Sequence, residues 1–175
     1  SFIYDGRGIM MLGESGAGES SLTASFVLKG AGLLTDDVTP VVLIGSVPHV
    51  RPLHGSIRIR RHTAEQLGID PEILIEAEAG TEKQYMKAGA REVTDLPLHV
   101  VLKIEVGDVP KPVFDEPMAA EKFLLLRSEV CMWEILAGMP ETETDYLQQL
   151  VQIIEQVRFV RVVRPEGIGI AEMQV

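Results

Sequence analysis

Residues 13–20 read GESGAGES, and the reading of that octet decides the fold. It agrees with the phosphate-loop form G-x-S-G-x-G-K-S at seven of its eight positions. In such a loop the glycines let backbone N–H groups turn inward around anionic oxygens. The helix that follows points its positive end at the same place. The lysine adds a point charge on the β and γ phosphates, and the closing serine or threonine hydroxyl coordinates Mg²⁺. Here Gly13, Gly16 and Gly18 supply the flexibility, Ser15 matches the fixed serine, Glu14 and Ala17 fill the variable places, and Ser20 takes the metal position. Glu19 stands where the lysine belongs. Two unit charges about 4 Å apart interact by roughly 4 kcal/mol at an effective dielectric near 20. Exchanging lysine for glutamate therefore removes an attraction of that order and adds a comparable repulsion, less whatever the carboxylate escapes by pointing away or by protonating.

The flanks agree with the octet. Residues 8–12, GIMML, form an apolar run too short for a helix and suited to a buried strand. Residues 20–29 place Leu22, Phe26 and Val27 at helical spacing on one side, and Gly30 and Gly32 end that helix. LLTDDVTPVVLIG then reads as a strand, two aspartates and another strand. In SIRIRR, Ile57 and Ile59 alternate with Ser56, Arg58 and Arg60 as a half-buried strand does. A short helix, a turn and a short segment follow in HTAEQLGIDPEILIEA. LPLHVVLKIEV is a strong strand. GDVPKPVFDEP reads as a loop, with Pro117 placed to start a helix. Helices fit 119–137, broken near Arg127, and 144–156, capped by Thr144; VRFVRVVRP closes the chain as a strand alternating Val157, Phe159 and Val163 with basic residues. Strands mixed with helices throughout define an α/β or α+β fold, expected as one domain over 1–175.

An apolar strand ending in carboxylates beside a phosphate loop is how phosphotransfer sites hold a metal and a general base. Asp36 and Asp37, after GAGLLT, are in that place. Together GIMMLGESGAGES, the helix and GAGLLTDDVTPV resemble the HPr serine kinase/phosphorylase family and its related small kinases. The spacing agrees over about residues 8–42. The resemblance implies a phosphoenolpyruvate-carboxykinase-like nucleotide-binding fold, a mixed sheet with flanking helices, and transfer of phosphate from ATP to a serine hydroxyl on a protein or peptide. It implies that residues 13–21 bind the nucleotide, with Gly13, Gly16 and Gly18 shaping the cradle and Glu14, Ser15, Ala17, Glu19, Ser20 and Ser21 completing it. Ser20 and Asp37 would ligate Mg²⁺. Asp36 and Asp37 would be the catalytic pair, and the sequence does not divide base from metal carboxylate between them. The family's hexamers imply a homo-oligomer.

The chain departs from the family in four places. Glu19 replaces lysine and Ser21 stands where HPr kinases carry glutamate. Their upstream histidine would fall before Ser1, and their second glycine-bearing signature does not follow the aspartates. The loop thus admits a second reading, an impaired relative that keeps the fold as a binding or regulatory module. A small-molecule kinase or nucleotide hydrolase is a third.

Arg51, Arg58, Arg60 and Arg61 cluster within a chain that has only 16 Lys and Arg. Arg58 and Arg60 share a strand face. They read either as contacts to a secondary phosphate or acidic substrate, or as a solvated face paired with acids. Lys83, in GTEKQY, matches a lysine of the related kinases that could reach nucleotide, though a surface lysine is the plainer reading. His49, His54, His62 and His99 lack metal-ligand spacing. Met10, Met11, Met132 and Trp133 read as core or interface filler, and Cys131 as a buried thiol.

A net charge of −10 argues against nucleic acid and anionic membranes as partners. One cysteine excludes an internal disulfide and fits a reducing cytoplasm. No apolar run approaches the roughly 18 residues of a membrane span. The opening SFIYDG, without methionine, reads as a chain trimmed at its N-terminus.

Overall fold

A computed structural model describes residues 1–53, 55–77, 80–88, 94–132, 134–135 and 138–170. At its centre is LPLHVVLKIEV, which forms β9, Leu96–Val106. Its β-branched and leucine side chains suit a strand covered on both faces. β9 runs parallel to β2 (Arg7–Gly13) on one side and to β11 (Arg158–Arg164) on the other. Beyond β2 lie β1 (Phe2–Tyr4) and the two-residue β3 (Gly32–Leu33), both antiparallel to their neighbours. Beyond β11 lies antiparallel β10, Val113–Asp115. The first residues of β9, Leu96 and Pro97, pair instead with β5 (Val47–Val50), which forms a hairpin with β4 (Val41–Ile44). A separate antiparallel sheet is ordered β6 (Ser56–Arg60), β8 (Lys83–Lys87), β7 (Leu74–Glu76), and the short α2 (Arg61–Gln66) follows β6 directly. The protein is thus mixed α/β, a curled mixed sheet with flanking helices.

α1 (Glu19–Leu28) is apolar on two sides because it is packed on two sides. Leu22 and Phe26 meet Ile104 and Leu102 of the central sheet, while Ala24 and Val27 meet Ile57, Ile59 and Met86 of the smaller one. The expected single face of Leu22, Phe26 and Val27 is therefore divided between two sheets. Phe26 also stacks on Phe2, ring centroids 5.0 Å apart. The opposite face of the central sheet carries Met10, Val101 and Phe159, covered by Leu126 of α3 (Ala119–Ser128) and by Leu150 and Ile153 of α4 (Pro140–Gln156). Each such side chain removed from water contributes about 1.5–3 kcal/mol.

α3 begins at Ala119 as expected, two residues after Pro117, and ends at Ser128, beside the break expected near Arg127; Met118 is at its cap, where the Glu121 carboxylate accepts from the Met118 N–H at 2.8 Å. Three details differ from the sequence reading. α4 begins at Pro140, with proline in the first turn where its missing N–H is harmless, so Thr144 lies inside the helix and does not cap it. β10 occupies part of the segment expected as a loop, since three residues beside an existing edge need little intrinsic signal. In β11 the deeply buried residues are Phe159 and Val162 rather than a strict alternation through Val163, because both faces of this parallel strand are covered. No helix among the described residues is long and apolar enough to cross a membrane.

Candidate functional site

The glycine loop joins the end of β2 to the start of α1. Gly16 has φ 94° and Gly18 has φ 106°, a region in which an L side chain is strained. The turn is closed by the Ala17 N–H donating to Glu14 O at 2.8 Å. The first bond of the helix is Leu22 N–H to Gly18 O, 2.9 Å. The N–H groups of Glu19, Ser20 and Ser21 therefore have no acceptor within the helix. No side chain caps them, because the N-cap residue is Gly18. The result is a helix end with a positive dipole and with donors unpaired among the described residues.

Glu19 does not turn outward. A Cβ built on Gly13 would lie 2.6 Å from Glu19 Oε1 and 3.1 Å from the Ala17 Cβ. The carboxylate thus folds back from the first helical turn across the α-carbon at the end of β2. It lies along the inner side of the loop, among the atoms lining the cleft described below. Glutamate in a first helical turn interacts favourably with the helix dipole, by about 0.3–1 kcal/mol. It complements the helix dipole without capping the helix, while placing negative charge in the loop.

The aspartates follow β3 and are organised by one arginine. Asp36 Oδ2 accepts the Arg58 backbone N–H at 2.7 Å, and the Arg58 guanidinium reaches Asp37 Oδ2 at 3.0 Å. Burial raises the Asp36 pKa above its ordinary 3.8, and the Asp37 charge raises it further; the Arg58 N–H opposes this without cancelling it. Asp37 is exposed and sits at φ 29°. Thr35, preceding the pair, is fully buried and shares hydroxyl contacts of 2.7 Å with both Ser1 and Thr39.

One cleft of about 730 Å³ gathers most of these groups. Gly13, Ser15, Gly16, Gly18, Glu19, Ser20 and Ser21 line it, with Asp36, Asp37, Arg58, Arg60 and Lys83. Glu14 and Ala17 do not: Glu14 is exposed on the outer turn, and Ala17 is buried against Leu22 and Ile104. Arg60 and Lys83 are register partners on neighbouring strands of the small sheet, with no carboxylate within ion-pair distance among the described residues. Arg51 and Arg61 belong elsewhere, paired with Asp95 at 2.8 Å and Glu76 at 3.6 Å.

Sequence reasoning missed three contributors. Lys103 on β9 is buried and bonds Glu129 Oε1 at 2.5 Å, and Glu129 lines the cleft wall. Tyr146 of α4 lines the same wall, its hydroxyl buried and without a hydrogen-bond partner among the described residues. Arg164 ends β11 and bonds the loop itself: its Nε donates to Ala17 O at 2.7 Å and its Nη2 to Gly16 O at 3.2 Å. Parallel strands deliver their C-terminal ends to one edge of a sheet. A basic residue closing a strand parallel to the loop's own strand was the available signal.

Cys131 is exposed at the cleft rather than buried, and Met132 is 66% exposed. The chain turns outward there, Met132 adopting φ 57°, so neither is core filler. Met10 is buried and Met11 half-buried; Trp133 and His54 lie outside the described residues. His99 Nδ1 accepts from the Gly8 N–H at 3.1 Å, and His49 Nδ1 lies 2.8 Å from Val47 O. Among the described residues no group of three or more His, Cys, Asp or Glu side chains is placed to hold a metal ion.

Comparison of the chain with family models, with curated proteins and with solved structures gave no match in any of the three.

Proposed function

We propose that the cleft is a phosphoryl-transfer site of the HPr serine kinase/phosphorylase type on a phosphate-loop, phosphoenolpyruvate-carboxykinase-like fold. The protein is then an ATP-dependent serine kinase-like protein acting on a protein or peptide. The observation that carries this reading is a juxtaposition. The uncapped N-terminal turn of α1 and the half-buried carboxyl of Asp36 border one cleft. The donors suit the phosphates of ATP. The raised pKa of Asp36 makes it a stronger proton acceptor than an ordinary aspartate. In the transfer, the serine oxygen bonds the terminal phosphorus, the bond from that phosphorus to the bridging oxygen breaks, ADP leaves, and Asp36 takes the serine proton.

Mg²⁺ keeps most of its own water and needs only one or two protein oxygens besides the phosphates. The residues present fit that requirement: the Ser20 hydroxyl and the exposed Asp37 carboxylate would hold it. When bound, it supplies positive charge to the phosphates. Arg58 fixes the turn that presents both aspartates. Arg60 and Lys83, with no carboxylate partner among the described residues, are cations available to phosphate or to an acidic substrate segment. A cytoplasmic homo-oligomer belongs to the same reading.

One observation favours a second reading. The Glu19 carboxylate lies over Gly13 inside the loop, which opposes phosphate and suits a binding or regulatory module with little nucleotide affinity. Calorimetric titration of Mg²⁺–ATP into this chain and into Glu19→Lys separates the two. Micromolar binding by the unaltered chain supports the kinase reading. Binding by the lysine variant alone makes this a kinase site switched off at one residue. Absence of binding in both overturns the nucleotide reading.

A further inference from the structure

The glycine loop is held in shape from outside, by a residue 147 positions away in the chain. Arg164 closes β11 at the same edge of the sheet where β2 ends. Its guanidinium donates to three backbone carbonyls: the successive Ala17 O at 2.7 Å and Gly16 O at 3.2 Å, and Pro165 O at 3.0 Å. No carboxylate lies within ion-pair distance of it among the described residues. It also packs against Gly18, where an added Cβ would meet Nη2 at 3.7 Å and Nε at 3.8 Å.

Peptide geometry turns these contacts into a statement about donors. Across a trans peptide the C=O and the following N–H point in opposite directions. The Gly16 carbonyl faces Arg164, so the Ala17 N–H faces away from it, and there it meets Glu14 O at 2.8 Å. The Ala17 carbonyl faces Arg164 more closely still, so the Gly18 N–H is also turned away from the guanidinium. We propose that Arg164 is the positioning residue of an anion cradle: its fork fixes two successive peptide planes, aims the Gly18 N–H into the loop, and keeps a cation at the Gly18 end while Glu19 occupies the Gly13 end. The ligand class is a di- or triphosphate group, so the proposal rests on the phosphate reading above. A planar fork that engages two carbonyls at once is a property of arginine that lysine lacks.

The test uses inorganic tripolyphosphate as the probe, titrated calorimetrically into this chain and into Glu19→Lys. Each is then combined with Arg164→Gln and with Arg164→Lys. Amide hydrogen exchange at Ala17 is followed without ligand, with Val101 and Leu150 as controls in the core. The expected result in the Glu19→Lys background is at least tenfold weaker binding on Arg164→Gln. Ala17 exchange becomes faster, the core amides stay unchanged, and Arg164→Lys restores less than half of the loss on a logarithmic scale. Affinity within twofold on Arg164→Gln overturns the proposal, as does complete restoration by lysine, which makes charge rather than positioning responsible. If neither this chain nor Glu19→Lys binds tripolyphosphate, the phosphate reading falls. Ala17 exchange then decides the loop-shaping role by itself: faster exchange confined to the loop upholds it, and unchanged exchange overturns it.

Discussion

At the glycine loop, the groups offered to the cleft are backbone N–H donors whose directions are set by φ angles and by Arg164. At the aspartate turn they are side chains, set by one bond and one ion pair to Arg58. The loop can therefore keep its donors when a side chain changes, as it does with glutamate at position 19. On the proposed kinase reading, the turn cannot lose a carboxylate without losing its chemistry. A substitution in the loop should then change affinity by degree, and a substitution in the turn should change whether the reaction runs.

The largest expected effect is at the turn. Asp36→Asn keeps an oxygen for the Arg58 N–H but removes the proton acceptor, and phosphoryl transfer should fall by about 10²–10⁴. Single-turnover rates with radiolabelled ATP measure this; a fall of less than tenfold would show that Asp36 is not the base. At the loop, Glu19→Lys should tighten Mg²⁺–ATP binding by about 100-fold, or roughly 2.8 kcal/mol. The same variant should lower unliganded stability by about 1 kcal/mol, because it puts a cation at a helix N-terminus that now holds an acid. Urea denaturation read beside calorimetry checks both signs, and a variant that gains affinity and stability together would contradict the placement of Glu19.

Gly18→Ala should destabilise the fold by about 1–2 kcal/mol through backbone strain alone. The new Cβ would find only ordinary contacts, with Arg164 Nη2 at 3.7 Å. Thermal melts with and without Arg164→Gln separate strain from clash: if the loss shrinks when Arg164 is removed, the contact was the cause.

The smallest effect is on pH dependence. The folded protein holds the Asp36 proton more tightly than the unfolded chain does, since burial raises the pKa above 3.8. Protonated Asp36 therefore favours the fold, and that contribution is present below pH 3.8 and lost as pH rises through the folded value. Asp36→Asn should consequently be more stable than the parent at neutral pH, with the difference vanishing in acid. Denaturation midpoints at pH 7 and pH 3.5 read it directly, and an equal difference at both pH values would remove burial as the cause.

Much of this site was legible in the sequence because its signals are local. Three glycines within six residues, a serine at the start of a helical run and two adjacent aspartates after a short apolar stretch each constrain their own backbone. Ile57 and Ile59 were readable as core because strand alternation is a property of five residues, and both are buried. What escaped is what depends on distant partners. A basic residue closing β11 hints at the sheet edge where the loop lies, but it does not name Gly16 and Ala17 as the partners of Arg164. Lys103 resembles any lysine in a strand until Glu129 is seen beside it. The exposure of Cys131 follows from a turn at Met132, where an apolar run continues past the end of α3. The direction of Glu19 was open too, because a carboxylate at a helix start can turn either way, and only the bare α-carbon of Gly13 makes room for the inward one.

The long reach of Arg164 also bears on how the molecule is made. A chain emerging from the ribosome presents these glycines well before β11, so the loop's sequence is complete long before its shape is. β2 must likewise wait for β9, some ninety residues later, to gain its parallel neighbour. Contacts this distant form slowly, since each requires the closure of a long segment of chain. Until β11 docks, the amides of the loop lack their clamp. The shape of the loop is thus acquired well after its sequence.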